Sequence, residues 1–399
     1  MENYDYLNPV RLLYGKGQIA NLGKLILPYG KKVLLVYGQK HLKETGVYSR
    51  ITNTLKSSGI TIVDLEGVHS NPRLHLVKKG IQICRDENID FILAVGGGSS
   101  SDSAKAIGIG TKVNYDIWQA YEDFHSLMHM NEGQFPHVPT QSLPIGVVMT
   151  KAATGSEFDY TAVLSNRDTK EKLMVINKVL YPKFAIQDPT LTFTLPKEQI
   201  AFGIADIMTH YMEQYFVVQE NTLILDRTKE AGLKTVIEAG KAVMANPQDY
   251  VAQSYLLYCA AWACSDQSMT GALGAWASHQ IEHEISAITD LNHGHGMAIV
   301  YLGWMKYVHE SLLHKFARFA EKVWSIKRGG KSDSQMAAEG IEKTTEFWKS
   351  LGITLNLSDA GVDESVIPEA AKQAVRFGPL GFIKQLTEDD VVKILESVK

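Results

Sequence analysis

Cysteine is scarce, with only Cys84, Cys259 and Cys264 in 399 residues. An odd number in a long chain argues against a disulfide framework. Cys259 and Cys264, in LLYCAAWAC, also lack the paired CxxC spacing of a thiolate metal site, and read as core residues. Excess positive charge is missing too: 40 Lys plus Arg stand against 44 Asp plus Glu, for a formal net charge of -4. With no basic run or aromatic-interleaved basic stripe, nucleic acid is not an expected partner. No stretch reaches the roughly 18 consecutive apolar residues of a membrane span, so no membrane partner is expected either. The opening MENYDYLNPVRLLYG shows neither a basic region before an apolar stretch nor an Arg-rich amphipathic pattern, and the expected location is the cytoplasm. Internal repeats and low-complexity stretches are absent as well.

What is present is an ordinary globular composition, 45% hydrophobic and 21% charged, in a chain too long for one core. The first half alternates short β-branched runs (KKVLLVYG, ITIVDLEGV, DFILAVGGG) with helical patterns, which predicts βαβ units and a parallel sheet. LPIGVVMT at 143–150 reads as a further buried strand, DYTAVLSN and EKLMVIN flank RDTK like a hairpin, and KFAIQDP reads as the last strand. After Asp188-Pro189 the strand-like runs stop. The expected fold is an α/β, Rossmann-like dinucleotide-binding domain over 1–188 and an all-α metal-binding domain over 189–399. Helices are predicted at 196–218, 222–245, 249–266, 271–288, 295–322, 333–351 and 386–398.

Two constellations carry chemistry. From Phe91 a buried strand runs through Gly96, Gly97 and Gly98 into a helix opened by Ser99, Ser100 and Ser101. A helix start offers unpaired N–H groups and a positive dipole end, and glycines let backbone approach a ligand, so the turn suits a pyrophosphate. It is neither GxGxxG nor a P-loop. The competing reading is a tight turn with Ser101 or Asp102 as N-cap. A second nucleotide candidate is Gly38-Gln39-Lys40 at the end of the first of these strands. An acidic residue there would favour NAD(H). Neutral Gln39 with Lys40 and Lys43 instead favours NADP(H) over NAD(H).

The second constellation starts on the helix that follows Pro196, where Asp206 and His210 lie one turn apart. A surface pair is the bland alternative, but Ile207, Met208 and the preceding FGIA predict a buried helix, where an ionised carboxylate needs a partner. Four of the 13 histidines, His279, His283, His293 and His295, fall in one short later stretch. Imidazoles with one carboxylate suit one divalent ion, Fe2+ or Zn2+, rather than Mg2+ or Ca2+. Spacing alone leaves open which of the four histidines are ligands.

Taken together, GGGSSSDSAK at 96–105, TKAATGSE at 150–157, DIMTHYMEQY at 206–215 and HQIEHEISAITDLNHGHGMAIV at 279–300 resemble the iron-containing alcohol dehydrogenase family. The similarity is to its butanol dehydrogenase and broad-range aldehyde reductase branch, and it runs from NPVRLLYGKGQI through the helical half. The resemblance implies metal ligands at Asp206, His210, His279 and His293, with His283 beside the nicotinamide and His295 outside the shell. It implies cofactor contacts at Gly38, Gly96, Gly97, Gly98, Ser99, Asp102, Thr150, Thr154, Ser156 and Lys172, and an active site in the cleft between the domains. An alcohol or aldehyde substrate follows, with a homodimer expected. A non-redox lyase of the dehydroquinate synthase type is the rival on this architecture. It needs a basic phosphate pocket, whereas Met208, Trp262, Trp276 and Met297 flank the ligands here. The rival from another class is a metal- or nucleotide-binding protein without turnover.

Overall fold

The computed structural model describes residues 2–38, 40–128 and 135–399. The chain divides into two compact units, residues 7–195 and residues 1–6 with 196–399. In the first, strands β1 (Arg11–Tyr14), β2 (Lys32–Tyr37), β3 (Thr61–Glu66), β4 (Phe91–Gly96), β5 (Ile145–Met149) and β8 (Phe184–Gln187) form one parallel sheet. Its order is β1-β8-β5-β4-β2-β3. The central strands are covered on both faces, which is why KVLLVY and FILAVG read as continuous apolar runs rather than alternating ones. Leu35, Leu93, Val148 and Ile186 from the sheet share one core with Ile51 and Leu55 of the Val47–Ser57 helix. The predicted hairpin is present as the antiparallel pair β6 (Thr161–Asn166) and β7 (Glu171–Ile176), a sheet of its own.

This strand order places a topological switch between β2 and β4. These strands pair side by side with Tyr37 opposite Val95, yet the chain leaves β2 toward β3 and leaves β4 toward β5. Ligands of open parallel sheets bind at the carboxyl ends of the strands flanking such a switch. Here those ends are Gly38 and Gly96-Gly97.

The second unit is built on helices at Lys197–Tyr215, Leu223–Ala245, Tyr250–Ala263, Ala277–Thr289, His293–Val308, Leu313–Lys322, Asp333–Ser350, Ile367–Ala374 and Glu388–Glu396. Two helix expectations need correction. The helix expected at 271–288 begins only at Ala277, because Gly271 and Trp276 both adopt positive φ. The helix expected at 295–322 breaks at Leu312, whose φ of -145° and ψ of 39° interrupt it after a 3-10 turn. Ile367–Ala374, with Pro368 in its first turn, is a helix additional to those expected.

Candidate active site

Every residue of the Lys197–Tyr215 helix from Ile200 onward is buried. A helix covered all round has no solvated face. Asp206 and His210, 1% and 5% exposed, are therefore not a surface pair. His210 Nδ1 lies 3.7 Å from Asp206 Oδ1, and His293 Nε2 lies 3.6 Å from the same oxygen. The His210 and His279 rings are 4.7 Å apart between centroids, and those of His279 and His293 5.6 Å. Asp206, His279 and His293 bring one ligand atom each within 4.8 Å of one another. Residues far apart in sequence thus converge from three helices. His293 reaches the site because the next residue, Gly294, lets its helix close on the Phe202 carbonyl, which an added Cβ would meet at 2.4 Å.

Among the described residues, Asp206 Oδ1, His210 Nδ1 and His279 Nε2 are buried without a hydrogen-bond partner. Leaving a buried polar atom unpaired costs about 1–3 kcal/mol. An oxygen and imidazole nitrogens orphaned at one point fit a divalent cation of the Fe2+ or Zn2+ kind. Burial pushes the His210 imidazole down to about 4, against the opposing pull of Asp206, so near neutrality its ring is the uncharged form that a metal requires.

Two carboxylates that the spacing argument overlooked sit behind the histidines. Glu213 Oε1 is 3.1 Å from His279 Nδ1 and also accepts from the His279 backbone N–H and the Ser278 hydroxyl. Glu282 Oε2 meets His293 Nδ1. The available sequence signal was a pair of carboxylates inside apolar helices, each three residues after a candidate ligand. Trp276 lies edge-on to His279 with centroids 5.1 Å apart and 6.0 Å from the His210 ring. His283 is 7% exposed, its ring 5.6 Å from that of His293. His295 faces elsewhere, stacked on Phe202 with Nε2 2.9 Å from Thr354 Oγ1.

In the α/β unit, the Gly98–Lys112 helix starts four or five residues earlier than a Ser101 or Asp102 cap would place it. Gly97 is the N-cap, and no side chain caps the end. Packing explains two of the glycines, since a Cβ on Gly96 would meet Ser100 Oγ at 2.3 Å and one on Gly98 would meet Thr154 Oγ1 at 2.2 Å. It does not explain Gly97, whose nearest neighbour is Lys151 Cβ at 3.5 Å, or Gly38, which faces the Val68 carbonyl at 3.6 Å. Those two leave room at the switch point. The Thr150 N–H donates to the Gly96 carbonyl, and the Ser99 hydroxyl to that of Ser70.

Asp102, Ser156 and Lys172 are all buried. Asp102 accepts from the Ser156 hydroxyl at 2.6 Å and the Val163 N–H at 3.2 Å. Burial raises its carboxyl to about 6, against the pull of Lys105. Lys105 itself donates to Ser156 and to Asp159, 2.6 Å away. Lys172 lies on β7 opposite Ser165. Lys40 is exposed, whereas Lys43 is paired with Glu66 at 2.6 Å. Gln39 lies outside the described residues.

Comparison with known proteins matches both halves of this arrangement. Residues 9–189 fit the model described as iron-containing alcohol dehydrogenase, and residues 200–398 that of the Fe-containing alcohol dehydrogenase family, C-terminal. The chain is 40% identical to NADH-dependent butanol dehydrogenase A of Clostridium acetobutylicum, over 99% of each chain. It is 32% identical to the NADPH-dependent aldehyde reductase YqhD of Escherichia coli over the whole of both. The crystal structure of NADH-dependent butanol dehydrogenase A from Thermotoga maritima superposes with a TM-score of 0.92 at 35% identity, covering 100% of this chain and 99% of that one. With both halves matched and the relatives aligned from end to end, the chain belongs to the iron-containing alcohol dehydrogenase family and is an oxidoreductase of the alcohol dehydrogenase and aldehyde reductase type.

Proposed function

We propose that this oxidoreductase interconverts short- to medium-chain aldehydes and alcohols, of about the size of butanol, using a nicotinamide dinucleotide and one divalent ion. The observation that carries the reading is the convergence of Asp206, His279 and His293, with His210 beside Asp206 and His279, where three buried atoms have no hydrogen-bond partner among the described residues. In this reading those four residues hold the ion, Fe2+ or Zn2+. Bound there, a divalent cation supplies Lewis acidity toward a carbonyl oxygen, and the nicotinamide supplies the hydride.

The chain's own residues do the rest. The start of the Gly98–Lys112 helix binds the pyrophosphate through Gly97, Gly98 and Ser99, with Gly38 across the switch point. Thr150 and Thr154 flank that turn, and Asp102, Ser156 and Lys172 complete the cofactor contacts in this reading, Asp102 also tying the turn's helix to Val163 of β6. His283 holds, on an imidazole nitrogen, the proton that the substrate oxygen takes up on reduction.

NADP(H) over NAD(H) is the finer reading. It rests on Lys40, because Lys43 already pairs with Glu66. The relatives' names divide between the two cofactors. No described helix is long and apolar enough to cross a membrane. The protein works in the cytoplasm as a homodimer in this reading, and β1, an edge strand paired on one side only, offers a second copy a place to add.

The test follows loss of nicotinamide absorbance with butyraldehyde and NADPH or NADH, alongside metal analysis of protein purified without chelator. Wild-type protein should contain about one ion per chain and turn over, with the lower KM for NADPH. Asp206→Ala should lose both ion and turnover. Asp206→Ala protein that keeps its metal and its rate would overturn the site.

A further inference from the structure

Holding a metal requires more than three imidazoles in reach of one another. Each ring must present a lone pair, and an imidazole has two nitrogens and a free rotation about its stem. Whichever nitrogen carries the proton is set by the hydrogen bond the other one makes. The partners of the three rings are not alike.

His279 has its Nδ1 3.1 Å from Glu213 Oε1, and its Nε2 is the buried orphan that faces the site. His293 has its Nδ1 against Glu282 Oε2, while its Nε2 lies 3.6 Å from Asp206 Oδ1. Both carboxylates are completely buried. A carboxylate so placed accepts from Nδ1–H and leaves the Nε2 lone pair free to point inward. Among the described residues, none stands behind His210 in this way. It is flanked by the rings of His279 and Trp276.

Glu213 is itself fixed from several directions. Its carboxylate takes the Ser278 hydroxyl and the His279 backbone N–H, and its backbone carbonyl takes the Ala275 N–H. That carbonyl belongs to the last turn of its helix and has no acceptor role within it. The Ala275 contact sits beside Trp276, whose φ of 50° is unusual for a large residue. Glu213 therefore pins the beginning of the Ala277–Thr289 helix to the end of the Lys197–Tyr215 helix, three residues beyond His210. Glu282 joins the middle of one ligand-bearing helix to the first residue of the next.

We infer that Glu213 and Glu282 are positioning residues for the metal centre: each holds one histidine, His279 and His293 respectively, in the Nδ1–H tautomer with Nε2 turned toward Asp206. The inference rests on the metal reading proposed above. The two glutamates touch neither ion nor substrate and act through the rings they hold. Replacing such a partner lowers metal affinity by about 10- to 100-fold.

The experiment uses full-length Glu213→Gln and Glu282→Gln, which keep side-chain volume but replace the carboxylate by an amide that can donate to Nδ1 and so favour the opposite tautomer. Three readouts are compared with wild type: the dissociation constant for Co2+ by chelator competition, the visible spectrum of the Co2+ protein, and the unfolding temperature of the metal-free form. Imidazole 15N shifts in histidine-labelled protein report the tautomers. Support is a 10- to 100-fold weaker ion, an altered Co2+ spectrum and a changed tautomer at His279 or His293, with metal-free unfolding unchanged. Wild-type affinity and spectrum in both variants overturn the inference. So does weaker binding accompanied by a lower metal-free unfolding temperature and unchanged tautomers, which marks a structural role. Asp206→Ala, measured in parallel, separates the two claims: if it binds Co2+ as wild type does, the metal reading itself has failed.

Discussion

Gly294→Ala is the perturbation that should pull the proposed ligand set apart without changing any of its residues. A Cβ built on Gly294 lies 2.4 Å from the Phe202 carbonyl oxygen and 2.9 Å from its carbon. Both atoms are backbone inside the buried Lys197–Tyr215 helix, so neither can swing aside as a side-chain tip would. Ordinary contact begins at 3.4 Å, so the helix that His293 opens must move away by about 1 Å. Overpacking of this kind costs about 1–3 kcal/mol. In a unit of about 200 residues that lowers the metal-free melting temperature by roughly 2–12 °C. The same shift carries His293 away from Asp206, and ion affinity should fall at least about tenfold, the lower end of what losing an outer partner does. Melting by circular dichroism and Co2+ competition on the same preparation measure both. Gly240→Ala is the control, since its nearest neighbours are the terminal carbons of Ile204 at 3.2 and 3.3 Å and it removes a helix-interior glycine. Relief of the glycine penalty, roughly 0.5–1 kcal/mol, should offset that mild crowding. If Gly294→Ala melts and binds Co2+ like wild type, the close approach does not place His293 and the reasoning is wrong.

Gly97→Ala tests the nucleotide turn, because the new methyl has room inside the fold but would stand between the backbone and a pyrophosphate. Melting should be unchanged while the KM for the nucleotide rises about tenfold, as for one lost charge-assisted hydrogen bond; an unchanged KM removes the pyrophosphate from this turn. Glu157→Gln tests a buried acid that burial raises to about 7, against the hydrogen bond from Gln187. Its folded value lies above the ordinary 4.5, so the stability it contributes is full below pH 4.5 and lost as pH rises through 7. Denaturant unfolding should therefore show Glu157→Gln more stable than wild type at pH 8 by on the order of 1–3 kcal/mol, with a flatter slope between pH 5 and 8. A variant no more stable at pH 8 would mean that Glu157 is ionised there at no cost.

The parts of the molecule visible in its sequence are those whose signal is periodic and local. β2, β4 and β5 are apolar runs because a central parallel strand is covered on both faces, and Asp206 and His210 declare themselves because four residues make one helical turn. β1 carries no such signal, because RLLY is four residues long and half-buried at a sheet edge, and its partner is the strand most distant from it in sequence. The break at Leu312 is silent in the sequence, because neither glycine nor proline marks it. The choice of His279 and His293 over His283 and His295 needed a resemblance for a different reason. Which ring faces Asp206 depends on how three helices pack, and that is set by contacts such as Gly294 on Phe202, between residues 92 positions apart. Glu213 and Glu282 show the same gap from the other side. Spacing makes each of them an ordinary helical carboxylate three residues from a histidine, but neither holds the histidine that precedes it by three. Glu213 follows His210 and binds His279; Glu282 follows His279 and binds His293. Each partnership crosses to the next histidine-bearing helix, so a single-helix rule finds the right residues and assigns them the wrong histidines. That crossing is also what lets two side chains fix the mutual placement of three helices, which a pair within one helix could not do.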